Sequence, residues 1–237
     1  SGAFPPCLGF APLATIRPVM RTGRIALLRT LLRQGLPPSS VVTLLQIRSA
    51  LRDCRSVLDV GCGPASNLRH FGFDRLVGID GYEPNVTAAR RDGTHDQLVL
   101  GDVRNLGDLF RENEFDACVA LDLIEHLTKP EGMALLQSME RIAARRVVLL
   151  TPNGFLPQRH AEQSDLQEHL SGWDCAEMRA LGYRVMGALG PKGLRGEYHR
   201  IRWKPAAFWS LVSLAGHFLF TRWIPARAAA ILCVKAK

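Results

Sequence analysis

No two of the six cysteines, Cys7, Cys54, Cys62, Cys118, Cys175 and Cys233, are spaced as a CxxC pair. Cysteines scattered in this way exclude a disulfide framework and a zinc pattern, and read as buried, reduced thiols. Long hydrophobic runs are also missing. The longest, Ala206 to Phe220, is interrupted by Ser210, Ser213, Gly216 and His217. It is shorter than the roughly 20 residues a membrane-spanning helix needs. The first residues, Ser1-Gly2-Ala3-Phe4-Pro5-Pro6, lack the charged start and apolar stretch of a secretory leader. The expected location is therefore cytoplasmic, with the membrane surface as a further candidate. Internal repeats and low-complexity tracts are absent too. With 237 residues, 47% hydrophobic and 22% charged, the chain is not disordered, collagenous or coiled coil. It is expected to form one large domain, or one domain with an added cap.

Acidic residues are scarce at both ends. Residues 1–55 hold eight arginines against one acid, Asp53, for a charge of +7. Residues 56–154 carry −5, residues 155–237 carry +6, and the whole chain is +8. A nucleic-acid binder concentrates basic charge on its working surface. Here the acidic middle segment carries the chemical motifs, so nucleic acid is the less expected partner.

Residues 24–35 read as an amphipathic helix, with Leu27, Leu28, Leu31 and Leu32 at helical spacing and Gly35 as its stop. Pro37-Pro38 breaks the chain, and Ser39-Ser40 is expected to cap a second helix over about 41–53. The pattern then changes. Short apolar runs at Ser56–Val60, Leu76–Asp80, Gln97–Leu100, Phe115–Leu121 and Arg146–Leu150 alternate with intervals of helical length or turn composition. Tyr183–Met186 and Ala230–Val234 are expected sixth and seventh strands. Such alternation predicts βα units and a parallel sheet buried on both faces.

The first strand runs into Gly61-Cys62-Gly63-Pro64-Ala65-Ser66, after which a helix is expected. In an open α/β sheet, ligands bind at the carboxyl ends of the strands, where glycines let backbone approach closely. Asp80, at the end of the next strand, is placed to accept hydrogen bonds from ribose hydroxyls. Two cofactors fit this much. A dinucleotide fingerprint needs a third glycine, and Ser66 stands there. Asp59, two residues before the first glycine, would repel a pyrophosphate but favour the sulfonium and ammonium of S-adenosylmethionine.

Val57-Leu58-Asp59-Val60-Gly61-Cys62-Gly63 resembles motif I of the class I S-adenosylmethionine-dependent methyltransferases, of the type 11/12-like kind. Val77-Gly78-Ile79-Asp80 resembles the second motif, Gly101-Asp102-Val103 the loop that reads adenine, and Phe115-Asp116 through Leu127 the stretch around strand four. The resemblance covers roughly residues 50–190. It departs at Ala65, where many members have a third glycine. It implies a Rossmann-like α/β fold: a seven-stranded doubly wound sheet, strands six and seven joined by a long insertion. S-adenosylmethionine would be the cofactor and S-adenosylhomocysteine the product. Gly61, Cys62 and Gly63 would line the methionine part, with Gly81 and Leu121 also at the cofactor site. Asp80 would bind the ribose, Asp102 and the Val103 backbone the adenine edge, and Tyr82 would cover the ring. For Asp59, Asp80 and Asp102 the competing reading is capping or turn formation.

The acceptor side rests on Asp122-Leu123-Ile124-Glu125-His126 and the later Glu168-His169-Leu170-Ser171-Gly172-Trp173. These segments resemble parts of ubiquinone-pathway O-methyltransferases and small-RNA 3′-end methyltransferases. In the latter, two acids and two histidines bind a divalent metal; carried over, these are Asp122, Glu125, His126 and His169. Three readings stay open. Glu125 and His126 shape the pocket by hydrogen bonds; or His126 or His169 is a general base for an acceptor hydroxyl; or the four groups hold a metal. The place after strand four lacks an Asp/Asn-Pro-Pro-Tyr/Phe segment, which disfavours methylation of exocyclic DNA amines.

Between the last two strands lie Trp203, Phe208, Trp209, Phe218, Phe220 and Trp223 among arginines and Lys204. These residues and the Leu/Arg helix at 24–35 read as a lid or packed cap, or as a membrane-interface element. The expected organisation is a helical cap at 1–55, a cofactor-binding core at 56–190, and an insertion plus last strand at 191–237. The expected function is methyl transfer to a small-molecule, lipid-linked or glycan acceptor, on oxygen. The alternatives are an RNA 2′-O-type enzyme and a non-catalytic cofactor-binding partner protein.

Overall fold

The seven apolar runs become seven strands of one sheet. The structure, a computed structural model, describes residues 23–157, 168–196 and 200–237. Cys7 and the first residues, Ser1–Pro6, lie outside the described residues. The strands are β1 Ser56–Val60, β2 Arg75–Asp80, β3 Gln97–Leu100, β4 Phe115–Leu121, β5 Ala143–Pro152, β6 Arg184–Pro191 and β7 Ala228–Ala236. Their spatial order is β3-β2-β1-β4-β5-β7-β6. The first five are parallel. The expected all-parallel sheet needs one correction, because β7 runs antiparallel to both β5 and β6, between which it lies. The stretch from Pro191 to Ala228 carries the chain back to the same end of the sheet, so β7 enters in reverse.

The strands are apolar on both faces because both faces are covered. From β1, Leu58 and Val60 enter one core and Val57 the other. The first core packs against α4 (Leu106–Leu109), α5 (Lys129–Ile142) and α6 (Cys175–Ala180), with Trp173 fully buried. The second packs against α1 (Arg24–Arg33) and α2 (Pro38–Ala50), through Leu27, Leu31, Val41, Leu44 and Ile47. The helix α3 (Glu83–Arg91) joins β2 to β3, and α7 (Ala206–Gly216) lies between β6 and β7. A five-residue π-turn, His217–Thr221, continues α7.

Two helix boundaries depart from expectation. The second helix starts at Pro38, whose fixed φ suits the first helical position. Ser39 is therefore inside it, and its hydroxyl receives a hydrogen bond from Arg195 instead of capping. After the glycine loop comes a 3-10 turn, Asn67–Phe71, ended by Gly72 at φ 72°, in place of a full helix. Cys54, Cys62, Cys118, Cys175 and Cys233 are buried, and no two of them form a disulfide. No helix among the described residues is long and apolar enough to cross a membrane.

Candidate active site

The carboxyl ends of β1, β2 and β4 open into a cavity of about 1440 Å3. Its walls bring together Asp59, Gly61, Cys62, Gly63, Asp80, Gly81, Tyr82, Asp102, Val103 and Leu121. All ten residues expected at a cofactor therefore meet in one space. Ser40, Thr43 and Leu44 of α2 close one side, and Asp122, His126 and Leu170 another.

The glycine loop is shaped by close approach. Gly61 and Cys62 donate their amides to the Ile79 carbonyl at 2.8 and 3.0 Å, tying β1 to β2. Gly61 has φ +68°, and a Cβ there would meet the Leu123 side chain at 2.6 Å. Gly63 has φ +60° with open space where a Cβ would stand, so bare backbone faces the cavity. The Cys62 thiol is buried and pushed up by burial, then by Asp59 and Asp80, so it stays protonated.

Asp80 is held in place by its surroundings. One carboxylate oxygen accepts from the Gly63 amide at 2.9 Å; the other accepts from the Tyr82 amide at 2.9 Å and from Asn85 at 3.3 Å. This fixes a buried carboxylate at the tip of β2, on the cavity wall, with Tyr82 half-buried beside it. Asp102 also lies on the cavity. Its carboxylate caps the 3-10 turn at Arg104 and receives the Arg104 guanidinium at 2.7–3.0 Å. Arg104 lowers the Asp102 pKa.

Asp59 reveals a contact that the sequence concealed. Its Oδ2 accepts from the Ser66 hydroxyl at 2.6 Å and lies 3.1 Å from His95 Nε2. Ser66, where a dinucleotide fingerprint would have glycine, thus anchors the loop to β1 while capping the turn behind it. His95 is fully buried, and Thr94 Oγ1 lies 2.7 Å from its Nδ1.

The acceptor-side residues divide into two layers. Asp122 and His126 line the cavity, whereas Glu125 and His169 sit behind them. Asp122 has φ +50°, an uncommon conformation for a non-glycine residue. It lines the cavity, and loss of water around its carboxyl pushes it up to about 6. Glu125 is pushed well above the ordinary carboxylate range, first by burial and then by Asp122. Its Oε2 accepts from Thr151 at 3.0 Å; Oε1 has no partner among the described residues.

The later segment docks directly on this loop. Leu170 and Ser171 donate their amides to the Glu125 carbonyl at 2.8 and 3.0 Å. Trp173 Nε1 donates to Ser171 Oγ at 3.0 Å. His126 and His169 stack edge to face, 4.8 Å between centroids. Each Nδ1 faces a carbonyl, Glu168 at 3.0 Å and Leu156 at 2.7 Å. A carbonyl only accepts, so both Nδ1 atoms carry a proton, and each Nε2 is the basic or ligating nitrogen. Burial lowers the His169 pKa, which keeps it neutral. Ligand atoms of Glu125, His126 and His169 all lie within 4.8 Å of one another. Asp122, the fourth member of the expected set, is not in that group.

Residues 58–151 match the methyltransferase domain family. Over this segment the chain carries a methyltransferase domain. The match covers the glycine loop, Asp80, Asp102 and the Asp122–His126 loop together. S-adenosylmethionine is the cofactor of this methyltransferase domain, and the site fits it: bare glycine backbone and the fixed carboxylate of Asp80 border one large cavity. A curated relative, the mitochondrial ubiquinone biosynthesis O-methyltransferase of Dictyostelium discoideum, is 26% identical over 91 residues. That match covers 32% of this chain and only 28% of the relative's length. Among solved structures, the methyltransferase domain resembles a chain of the complex between the Haloferax volcanii Trm112 methyltransferase activator and a protein described as a methyltransferase. That pair shares 17% identity and a TM-score of 0.51, covering 80% of this chain and 87% of the other. A SAM dependent methyltransferase from Archaeoglobus fulgidus gives 16% identity and a TM-score of 0.48, over 81% and 93%.

Proposed function

We propose that the protein transfers a methyl group from S-adenosylmethionine to an oxygen of a small-molecule, lipid-linked or glycan acceptor. The observation that carries this reading is the single cavity on which the glycine loop, Asp80, Asp122 and His126 all open. The bound cofactor supplies an electrophilic methyl on a sulfonium. The chain's own part is mainly orientation: Gly61–Gly63 backbone against the methionine portion, Asp80 on the ribose hydroxyls, Asp102 and the Val103 amide at the adenine edge. His126 faces the cavity and is placed to take the acceptor's proton at Nε2; His169 positions it from behind. The curated relative's name, an O-methyltransferase, favours oxygen over nitrogen.

Calorimetric titration with S-adenosylmethionine, S-adenosylhomocysteine and NADH tests the cofactor part. Both sulfur ligands bind and NADH does not; binding of NADH alone overturns the reading. Asp80→Asn weakens the sulfur ligands by roughly ten- to a hundredfold, the worth of a charged hydrogen bond. Turnover is then read on hydroxylated lipids and glycans. Cofactor binding without turnover on any acceptor favours the non-catalytic partner.

A second reading has one observation in its favour. Glu125, His126 and His169 form a compact oxygen–nitrogen donor set whose imidazoles are oriented by carbonyls, as metal-ligating histidines commonly are. In it Glu125, His126 and His169 would hold a divalent ion, which would supply Lewis-acid polarisation of the acceptor oxygen. Turnover is then lost on chelation and restored by the metal; full activity in excess EDTA sinks this version and leaves His126 as the base.

A further inference from the structure

The rod formed by α7 and its π-turn is built inside out. Over 206–221 its buried side chains are Ser213, His217 and Thr221, four residues apart. Outward stand Phe208, Leu211, Phe218, Leu219 and Phe220, with Leu219 68% exposed and Trp223 just beyond at 72%. A water-facing helix places its apolar stripe inward and its polar stripe outward. This one does the reverse, and two polar groups lose by it. Both ring nitrogens of His217 and the Thr221 hydroxyl have no partner among the described residues.

The orientation is locked. Arg195, itself buried, donates to Ser213 at 3.2 Å and to Ser39 of α2 at 2.6 Å. On β6, a Cβ at Gly187 would strike the Thr221 carbonyl, and one at Gly190 the Ser213 hydroxyl. The rod therefore lies on a glycine track that brings Ser213 and Thr221 against the bare backbone of β6. Turning it over would drive phenylalanines into that track, so the apolar face stays out.

Charge around this face has one sign. Residues 200–227 contain five lysines and arginines and no acid, and residues 23–52 contain no acid either. The helix α2 packs against both α7 and α1. On its outer side α1 exposes Ile25 and Leu32. Arg222 stacks on Trp223, its guanidinium 5.1 Å from the ring centroid. Aromatic side chains at headgroup depth, with arginines on the phosphates, are the chemistry of an interfacial helix.

We propose that this face docks the protein on the surface of an anionic lipid bilayer. The aromatic and leucine side chains enter the headgroup boundary, and Arg222 and Arg227 contact lipid phosphates. Docking does not depend on the methyl-transfer reading, and its test uses no acceptor.

The test is co-sedimentation of the full chain with vesicles of phosphatidylcholine alone or mixed with phosphatidylglycerol. The protein pellets with the mixed vesicles, stays in solution with phosphatidylcholine alone, and is released by high salt. The variant combining Leu211→Ser, Leu219→Ser and Trp223→Ser keeps the thermal transition and loses binding by more than about tenfold. Should it fail to fold, Trp223→Ser alone supplies the comparison. Arg222→Glu with Arg227→Glu costs at least about fivefold per charge. Wild-type protein that ignores phosphatidylglycerol vesicles overturns the proposal, as does undiminished binding by the serine variant. A dimer seen by light scattering and abolished by the serine variant, without vesicle binding, assigns the face to a second copy and also overturns it.

Discussion

Burial moves two proton equilibria behind the cavity in opposite senses. It raises Glu125 and lowers His169, because in each case the charged form loses its water. For Glu125 the consequence for stability has a definite sign. Its folded pKa lies above its ordinary value of 4.5, so the folded state holds the proton more tightly. The favourable contribution is full below about pH 4.5 and is lost as pH rises through the folded value. In the presence of chelator, Glu125→Gln therefore melts a few degrees above wild type at pH 7.5. The advantage vanishes toward pH 4.5. Thermal unfolding across this range checks it, and a wild type that melts higher at pH 7.5 in chelator contradicts it. Asp59 teaches a related lesson. Its motif and position are visible in the sequence, but the partners of its Oδ2 are not. Ser66 carried a weak signal, standing where a dinucleotide loop needs glycine. His95, 36 residues away, carried none.

Among the elements, the pairing of the Asp122–His126 loop with the His169–Trp173 segment depends on one helix surface. Gly132 lies in α5 directly over Trp173. A Cβ at Gly132 would meet the Trp173 ring at 2.5 Å and Ile124 at 3.2 Å. In an exposed helix, alanine in place of glycine stabilises by about 1 kcal/mol. At Gly132 the clash outweighs that gain: Gly132→Ala destabilises by about 1–3 kcal/mol, the usual cost of overpacking. It also displaces Ser171 and with it His169. Denaturant unfolding measures the first effect, and retained stability refutes it. The short elements of this region were less legible than the strands. Periodicity needs several turns to show, whereas the 3-10 turn at Asn67–Phe71 has five residues and is defined by Ser66 and the left-handed Gly72.

At the scale of the whole molecule, the last strand completes the fold from inside the sheet. β7 is hydrogen-bonded to β5 on one side and to β6 on the other, and Ala228 to Val234 are all buried. Removing it leaves two strand edges unpaired and opens both cores, since Ile231 and Cys233 belong to one and Ala230 and Leu232 to the other. A chain ending at residue 227 is expected to lose its cooperative thermal transition, followed by circular dichroism. A cooperative transition in that truncated chain would show that the sheet closes without β7.

By itself the sequence determined the strands and the loop between β1 and β2. These are local: short apolar runs stay strands when both faces are covered, and two glycines with their neighbouring acids form a ligand loop wherever that strand ends. Tertiary structure decided the rest. It set the reversed direction of β7, the meeting of Glu125 and His126 with His169 more than forty residues on, and the outward turn of the apolar side of α7. Each of these depends on which surfaces touch across long stretches of chain. The glycine track on β6 is the clearest case, for together with the Arg195 hydrogen bonds it selects the polar side of α7 over the apolar one.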